Sequence, residues 1–129
     1  MESKDVLRFL EKYWEAVLRQ QPHKIKPFFH EKADINWHNT NERFTVDEFI
    51  KANCEYPGVW DGAIEKVAEK DDLIITVVHV FSQDKKASFH VTSFMKIKDG
   101  KIILLDEYWG DDGNIPQWRL DMHIGKPIE

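Results

Sequence analysis

The sequence predicts an α+β domain: helices up to Glu55, then a four-strand antiparallel meander. Three observations carry this. Apolar residues from Val6 to Leu18 recur at helical spacing, as on one face of an amphipathic helix. From Trp60 onward the apolar period changes to two, the signature of strands. Turn signals at Asp71-Asp72, Gln83–Lys86 and Asp99-Gly100 separate the alternating runs, and connections this short make neighbouring strands antiparallel.

In chain order, Ser3 can cap a first helix, with Asp5 favourably placed near its positive end. Its stripe is Val6, Phe9, Leu10, Tyr13, Trp14, Val17 and Leu18. Gln20-Gln21-Pro22 ends it. A short second helix covers Pro22 to Phe28, because Pro is tolerated in a first turn and Pro27 keeps the helix short. Ala33 to Asn39 alternates as a strand with Ile35 and Trp37 on one face. Thr45-Val46-Asp47-Glu48 reads as a capping box, flanked by Phe44 and Phe49 at staple positions, and opens a third helix that runs to Glu55 before Pro57-Gly58. Strands are expected at about 61–70, 73–82, 87–98 and 101–111, and the tail from Gly113 is irregular with Trp118 as an anchor. Both faces of the strands carry apolar residues. Helices can cover only one face, so the other, read as Ile74, Val78, Val80 and Phe94, suggests a homodimer contact.

A chain of 129 residues, 42% apolar, bounds one domain, residues 1–129, with one core. Its net charge of −5, with no basic stripe, argues against a nucleic-acid partner. Cys54 stands alone, which excludes an internal disulfide and fits a reducing compartment. No apolar run approaches the ~20 residues that span a bilayer. The start, MESKDVLRF, is too charged for a signal peptide. A cytoplasmic protein without a membrane partner is the expectation. No glycine-rich phosphate loop, nucleotide fingerprint or metal-ligand spacing is present, so no cofactor and no metal are expected.

The long first helix, NWHNTNERF before the capped helix, EYPGVW after it, and KDGKIILLDEYWGDDGNIPQWR at the end together resemble the nuclear transport factor 2-like superfamily, and within it the SnoaL-like group. The resemblance implies a cone-shaped fold in which a strongly curved antiparallel sheet wraps three N-terminal helices around an apolar cavity, with dimers frequent. The superfamily holds isomerases, cyclases, dehydratases, an epoxide hydrolase and many non-catalytic binders, so fold alone does not give chemistry. Trp37-His38-Asn39 is similar to the aromatic-x-Asn pair of its limonene epoxide hydrolase, and Glu107 falls where that enzyme has its last-strand Asp. Its Arg-x-Asp reads Val77-Val78-His79 here. Where the superfamily's ketosteroid isomerase has its base and its oxyanion acid, this chain has Trp37 and Ser93.

Two adjacent carboxylates, Asp106 and Glu107, end an apolar strand, and only one can face inward. A plain hairpin at Asp99-Gly100 pairs Ile97 with Ile102 and sends Asp106 inward. A β-bulge after the turn sends Glu107 inward, as the superfamily alignment implies, and Glu107 is taken as the inward one. The inward set is then Trp37, Asn39, Val77, His79, Val91, Ser93, Met95, Leu105, Glu107 and Trp109. Glu107, His79 and Asn39 form the candidate catalytic group: burial and mutual attraction act in opposite directions on the Glu107 and His79 pKa values and can poise either near neutrality, while Asn39 orients a water or a substrate oxygen. Trp37, Ser93, Trp109, Tyr13, Val77 and Met95 are candidate ligand contacts, with Tyr56 and Trp60 at the rim. Three functions stay open: an acid–base enzyme without a cofactor acting on a small apolar molecule, a non-catalytic carrier of a small hydrophobic ligand, and a dimerisation module.

Overall fold

The structure, a computed structural model, describes residues 3–128. Helix α1 spans Ser3–Leu18 and buries Val6, Leu10, Tyr13, Trp14, Val17 and Leu18, the expected stripe with Phe9 only half-buried. Ser3 is already helical, and its hydroxyl donates to Glu69 rather than serving as a cap. Gln20 then takes a left-handed turn, φ 54°, and its amide donates to the carbonyls of Asn53 and Tyr56. Helix α2, Pro22–Ile25, tightens at Pro27 into a 3-10 turn, Lys26–Phe28. Strand β1 is Phe29–Trp37. It starts earlier and stops sooner than its alternation suggests, so Asn39 lies in a 3-10 turn, His38–Thr40. Strand β2, Glu42–Phe44, is too short to read from sequence.

Helix α3, Val46–Glu55, opens on the expected capping box. The Thr45 hydroxyl accepts from the Glu48 N–H, and the Glu48 carboxylate accepts from the Thr45 N–H. The Trp37 ring lies edge-on to both Phe44 and Phe49, so the staple closes through a third ring. Strands β3 (Trp60–Lys70), β4 (Leu73–Ser82), β5 (Ser88–Lys98) and β6 (Lys101–Asp111) continue the chain as a meander. A one-turn helix α4, Gln117–Leu120, carries Trp118, which is 64% exposed and anchors nothing.

The curved sheet runs β2-β1-β6-β5-β4-β3. It is mixed rather than antiparallel throughout, because β1 enters parallel to β6. It also stays open, with β2 and β3 as its edges. The helices cover one face, and the core lies between them and the sheet.

The expected bulge is present. Ile97 pairs with Ile102, but Lys96 pairs with Leu104, leaving Ile103 as the extra residue. Everything beyond it is shifted by one, so Leu105 and Glu107 turn inward and Asp106 outward.

Strand β4 departs from expectation. Its inward residues are Ile74, Thr76, Val78, Val80 and Ser82, so Val77 and His79 lie on the outer face. The cause is register. Ser82 and Ala87 exchange hydrogen bonds across the turn, which sets His79 opposite His90 and Thr76 opposite Ser93. Directly opposed residues share a face, so an inward Ser93 requires an inward Thr76. For the same reason Ile74, Val78 and Val80 belong to the core and not to an outer dimer face. No helix among the described residues is long and apolar enough to cross a membrane.

Candidate functional site

Four neighbouring strands contribute one residue each to a row across the inner face. Thr76 on β4 opposes Ser93 on β5, Ser93 opposes Glu107 on β6, and Glu107 opposes Trp37 on β1. Thr76, Ser93 and Glu107 are all buried, and Glu107 is only 2% exposed. A carboxylate there is tolerable only with hydrogen bonds. Oε1 of Glu107 accepts from the Trp37 indole N–H at 3.0 Å, and Oε2 accepts from the Ser93 hydroxyl at 3.1 Å.

Burial pushes the Glu107 carboxyl up to about 7, from an ordinary 4.5. The donors Ser93 and Trp37, and the nearby Trp109 N–H, pull it back down without overcoming the burial. Trp109 Nε1 itself makes no hydrogen bond among the described residues, so its influence is that of a close N–H dipole. Above the row sits Tyr13 of α1, fully buried, with its hydroxyl unpartnered among the described residues. Burial and then the charge of Glu107 raise its pKa well above the ordinary value, so it stays a neutral donor.

Toward the C-terminal end of β6 the row gives way to a cavity of about 480 Å³. Trp14, Trp37, Trp60 and Trp109 line it, with Tyr56 near its edge. Along β6, Trp109 faces the cavity and Glu107 is the next inward residue behind it. Asn39 secures this wall. Its side-chain Oδ1 accepts from the Trp109 N–H at 2.8 Å, while its Nδ2 donates to the Trp109 carbonyl. Both ends of the Asn39 amide are thus engaged by backbone, and among the described residues it makes no hydrogen bond to Glu107. The indole N–H groups of Trp14, Trp60 and Trp109 and the hydroxyls of Tyr13 and Thr76 are buried without protein partners among the described residues. Leaving such groups unpaired costs about 1–3 kcal/mol each, so water or a bound molecule is their natural partner.

The structure brings Trp37, Asn39, Tyr56, Trp60 and Trp109 to the cavity wall, while Glu107, Ser93 and Tyr13 are buried behind it and do not line it. Met95 is fully buried deeper in the core and is no part of the cavity wall. His79 and Val77 are not brought there. His79 instead stacks on His90 on the outer face, with its Nε2 2.8 Å from the Ser88 hydroxyl. Asp106 is also outside, where Asn36 and His38 hold it. Partial burial pushes its pKa up, but those two hydrogen bonds and the charges of His38 and Arg43 outweigh this and keep it below the usual range. Sequence reasoning does not single out Trp14, Phe89 or Thr76 as site residues. Thr76 has a legible signal: one hydroxyl in an otherwise apolar inward row, opposite Ser93.

No protein-family model matches the chain, and no curated protein matches it in sequence. Solved structures do. A nuclear transport factor 2-like protein of unknown function from Burkholderia xenovorans superposes with a TM-score of 0.78 at 16% identity, covering 98% of each chain. A candidate ketosteroid isomerase from Kribbella flavida gives 0.77 at 18% identity, over 95% of this chain and 90% of that one. An LEH-like epoxide hydrolase from M. tuberculosis gives 0.68 at 12% identity, over 85% and 86%. At these identities the likeness is one of fold.

Proposed function

We propose that this chain, which has the nuclear transport factor 2-like fold, binds a small, mostly apolar molecule in the tryptophan-lined cavity and that Glu107 transfers a proton on it. The carrying observation is the buried carboxyl directly behind Trp109, held by Ser93 and Trp37 and raised to about 7. Near neutral pH such a group is divided between base and acid, which is the condition for efficient proton transfer in both directions.

With His79 outside, Glu107 has no titratable inward partner on the sheet row. A reaction that needs separate acid and base, such as opening an epoxide with water, is therefore poorly served. A reaction in which one group takes a proton and returns it elsewhere fits better: isomerisation, or a cyclisation through an enolate. The neutral Tyr13 hydroxyl, buried behind the cavity wall like Glu107, is then the donor for the developing oxyanion. A substrate reaches Glu107 only if the Trp109 ring gives way, since Glu107 does not itself line the cavity. That same observation favours a second reading, a carrier that binds an apolar molecule and leaves it unchanged.

A panel of cyclic ketones, enones and epoxides, screened by thermal shift and then by product analysis, separates the two. The enzymatic reading expects a melting-temperature rise for some compounds, turnover of at least one, and loss of that turnover with retained binding in Glu107→Gln. Turnover that survives Glu107→Gln rules the assignment out. Binding without product by any compound supports the carrier.

A further inference from the structure

We propose that the outer face of the sheet carries a binding site for a divalent transition metal of the zinc type, formed by Glu65, His79 and His90. His79 and His90 are direct partners across β4 and β5, so their side chains leave the same face side by side. Their rings stack with centroids 4.7 Å apart and planes 7° from parallel. Glu65 arrives by a second bulge. Ile64 pairs with Val78 and Lys66 with Val77, so Glu65 has no residue opposite it. A bulge of this kind re-aims one side chain out of the regular alternation. One donor atom from each of the three residues lies within 4.8 Å of the others. Tetrahedral zinc, with bonds of about 2.0–2.2 Å, needs its donors roughly 3.4 Å apart. Closing that gap takes rotation of the exposed Glu65 and a turn of the two half-exposed imidazoles out of their parallel stack, since a metal lies in the plane of each ring it binds.

The neighbouring groups occupy one nitrogen of each imidazole and leave the other for a metal. Ser88 donates its hydroxyl to Asp112 at 2.5 Å, so toward His79 Nε2, 2.8 Å away, it acts as acceptor. His79 therefore carries its proton on Nε2, and the lone pair is on Nδ1. His90 gives its Nδ1 proton to Asp112 at 2.5 Å. Its Nε2 faces the Glu65 carboxylate 3.2 Å away. A shared proton or a metal ion between the two groups makes that contact favourable. A carboxylate behind a ligating imidazole, as Asp112 stands behind His90, is the usual support for a metal ligand. Two nitrogens and one carboxylate suit Zn(II), Co(II), Ni(II) or Cu(II), and not Mg(II) or Ca(II), which take oxygen sets. Three protein ligands on a half-exposed face leave a fourth position to water.

The test uses the full chain without a histidine tag, stripped with chelator and titrated with Co(II) by visible absorption and with Zn(II) by calorimetry. One equivalent is expected to bind, and Zn(II) should raise the melting temperature. His79→Ala and His90→Ala should each abolish the Co(II) spectrum, while circular dichroism shows the fold intact. Asp112→Asn should weaken binding by about 10- to 100-fold. If a histidine variant fails to fold, nitrogen NMR of the parent protein decides, with zinc-dependent shifts expected at His90 Nε2 and His79 Nδ1. No binding up to about 1 mM metal, parental affinity in either histidine variant, or unmoved imidazole nitrogens would each overturn the proposal.

Discussion

Ser93 and Glu107 face each other directly across β5 and β6, and the Ser93 hydroxyl reaches Glu107 Oε2 at 3.1 Å inside the core. That bond stabilises the anion more than the acid, so it works against the burial that raises the carboxyl. In Ser93→Ala the Glu107 pKa should climb beyond about 7. Stability should fall by about 1–2 kcal/mol at roughly pH 8, where the anion loses its donor, and by less at roughly pH 5, where the carboxyl is protonated. Urea melts at the two pH values measure this. An equal loss at both would show that the hydroxyl does not act through the charge.

Glu107 also makes the parent protein's stability depend on pH in an unusual direction. Its folded value, about 7, exceeds its ordinary 4.5, so between those values the folded state holds the proton more tightly than the unfolded chain does. Stability from this group is complete below the ordinary value and is lost as pH rises through about 7. Integrated over the window, the loss is on the order of 3 kcal/mol. Glu107→Gln should abolish this slope. Its amide can still accept from Trp37 and donate to the Ser93 oxygen, so at about pH 8 the variant should be more stable than the parent. Thermal melts across the range check it, and a parental slope in the variant would assign the effect to another group.

Much of the fold is legible in the sequence because local chemistry fixes it. The Thr45 capping box, the turn at Asp99-Gly100 and the start of a short α2 at Pro22 are set by side-chain donors and restricted φ angles, which sequence states directly, whereas the early change of α2 to a 3-10 turn at Lys26 is not legible there. Glu107 can be placed only through the resemblance, because a simple hairpin turns Asp106 inward while the superfamily pattern turns Glu107 inward, and a bulge after the turn, found at Ile103, reconciles them. His79 is misplaced by sequence reasoning for the opposite reason. Leu73, Ile75 and Val77 are as apolar as Ile74, Val78 and Val80, so alternation on β4 carries no sense of inside and outside. The pairing of Ser82 with Ala87 holds that information, and it lives in the register between strands rather than in either strand. The Glu65–His79–His90 cluster is illegible as a consequence, since its members meet only through that register and a bulge.

Asn39 is expected to act on the cavity through Trp109. It spans the Trp109 backbone with both halves of its amide, at the point where the cavity wall leaves the sheet. Asn39→Ala removes a donor and an acceptor together and should cost about 1–2 kcal/mol. Asn39→Asp keeps the acceptor but sets a charged oxygen against the Trp109 carbonyl, so it should be worse than alanine. Fluorescence of an apolar dye in the cavity should weaken in the same order. Equal dye affinity in all three proteins would mean that this clamp does not shape the wall.

Gly62 lets the edge strand β3 pass close to β4 and to Leu18 of the first helix. It lies opposite Val80, where a Cβ would stand 2.8 Å from the His79 carbonyl and 3.1 Å from Leu18 Cδ1. Leu18 lines the cavity and can rotate away, but the carbonyl belongs to the β4 backbone and cannot move without disturbing the ladder. Gly62→Ala should therefore cost about 1–3 kcal/mol as an overpacked contact. Two other glycines calibrate that figure. Gly100 has open space around its missing side chain but a φ of +75°, so alanine there meets backbone strain alone and should cost about 1 kcal/mol. Gly113 has open space and no positive φ, so alanine there should be neutral or slightly stabilising. Melting temperatures should fall in the order Gly113→Ala, Gly100→Ala, Gly62→Ala. If Gly62→Ala matched Gly113→Ala, β3 would have to yield at that point, and the close approach of β3 to the His79 carbonyl would not constrain the sheet edge.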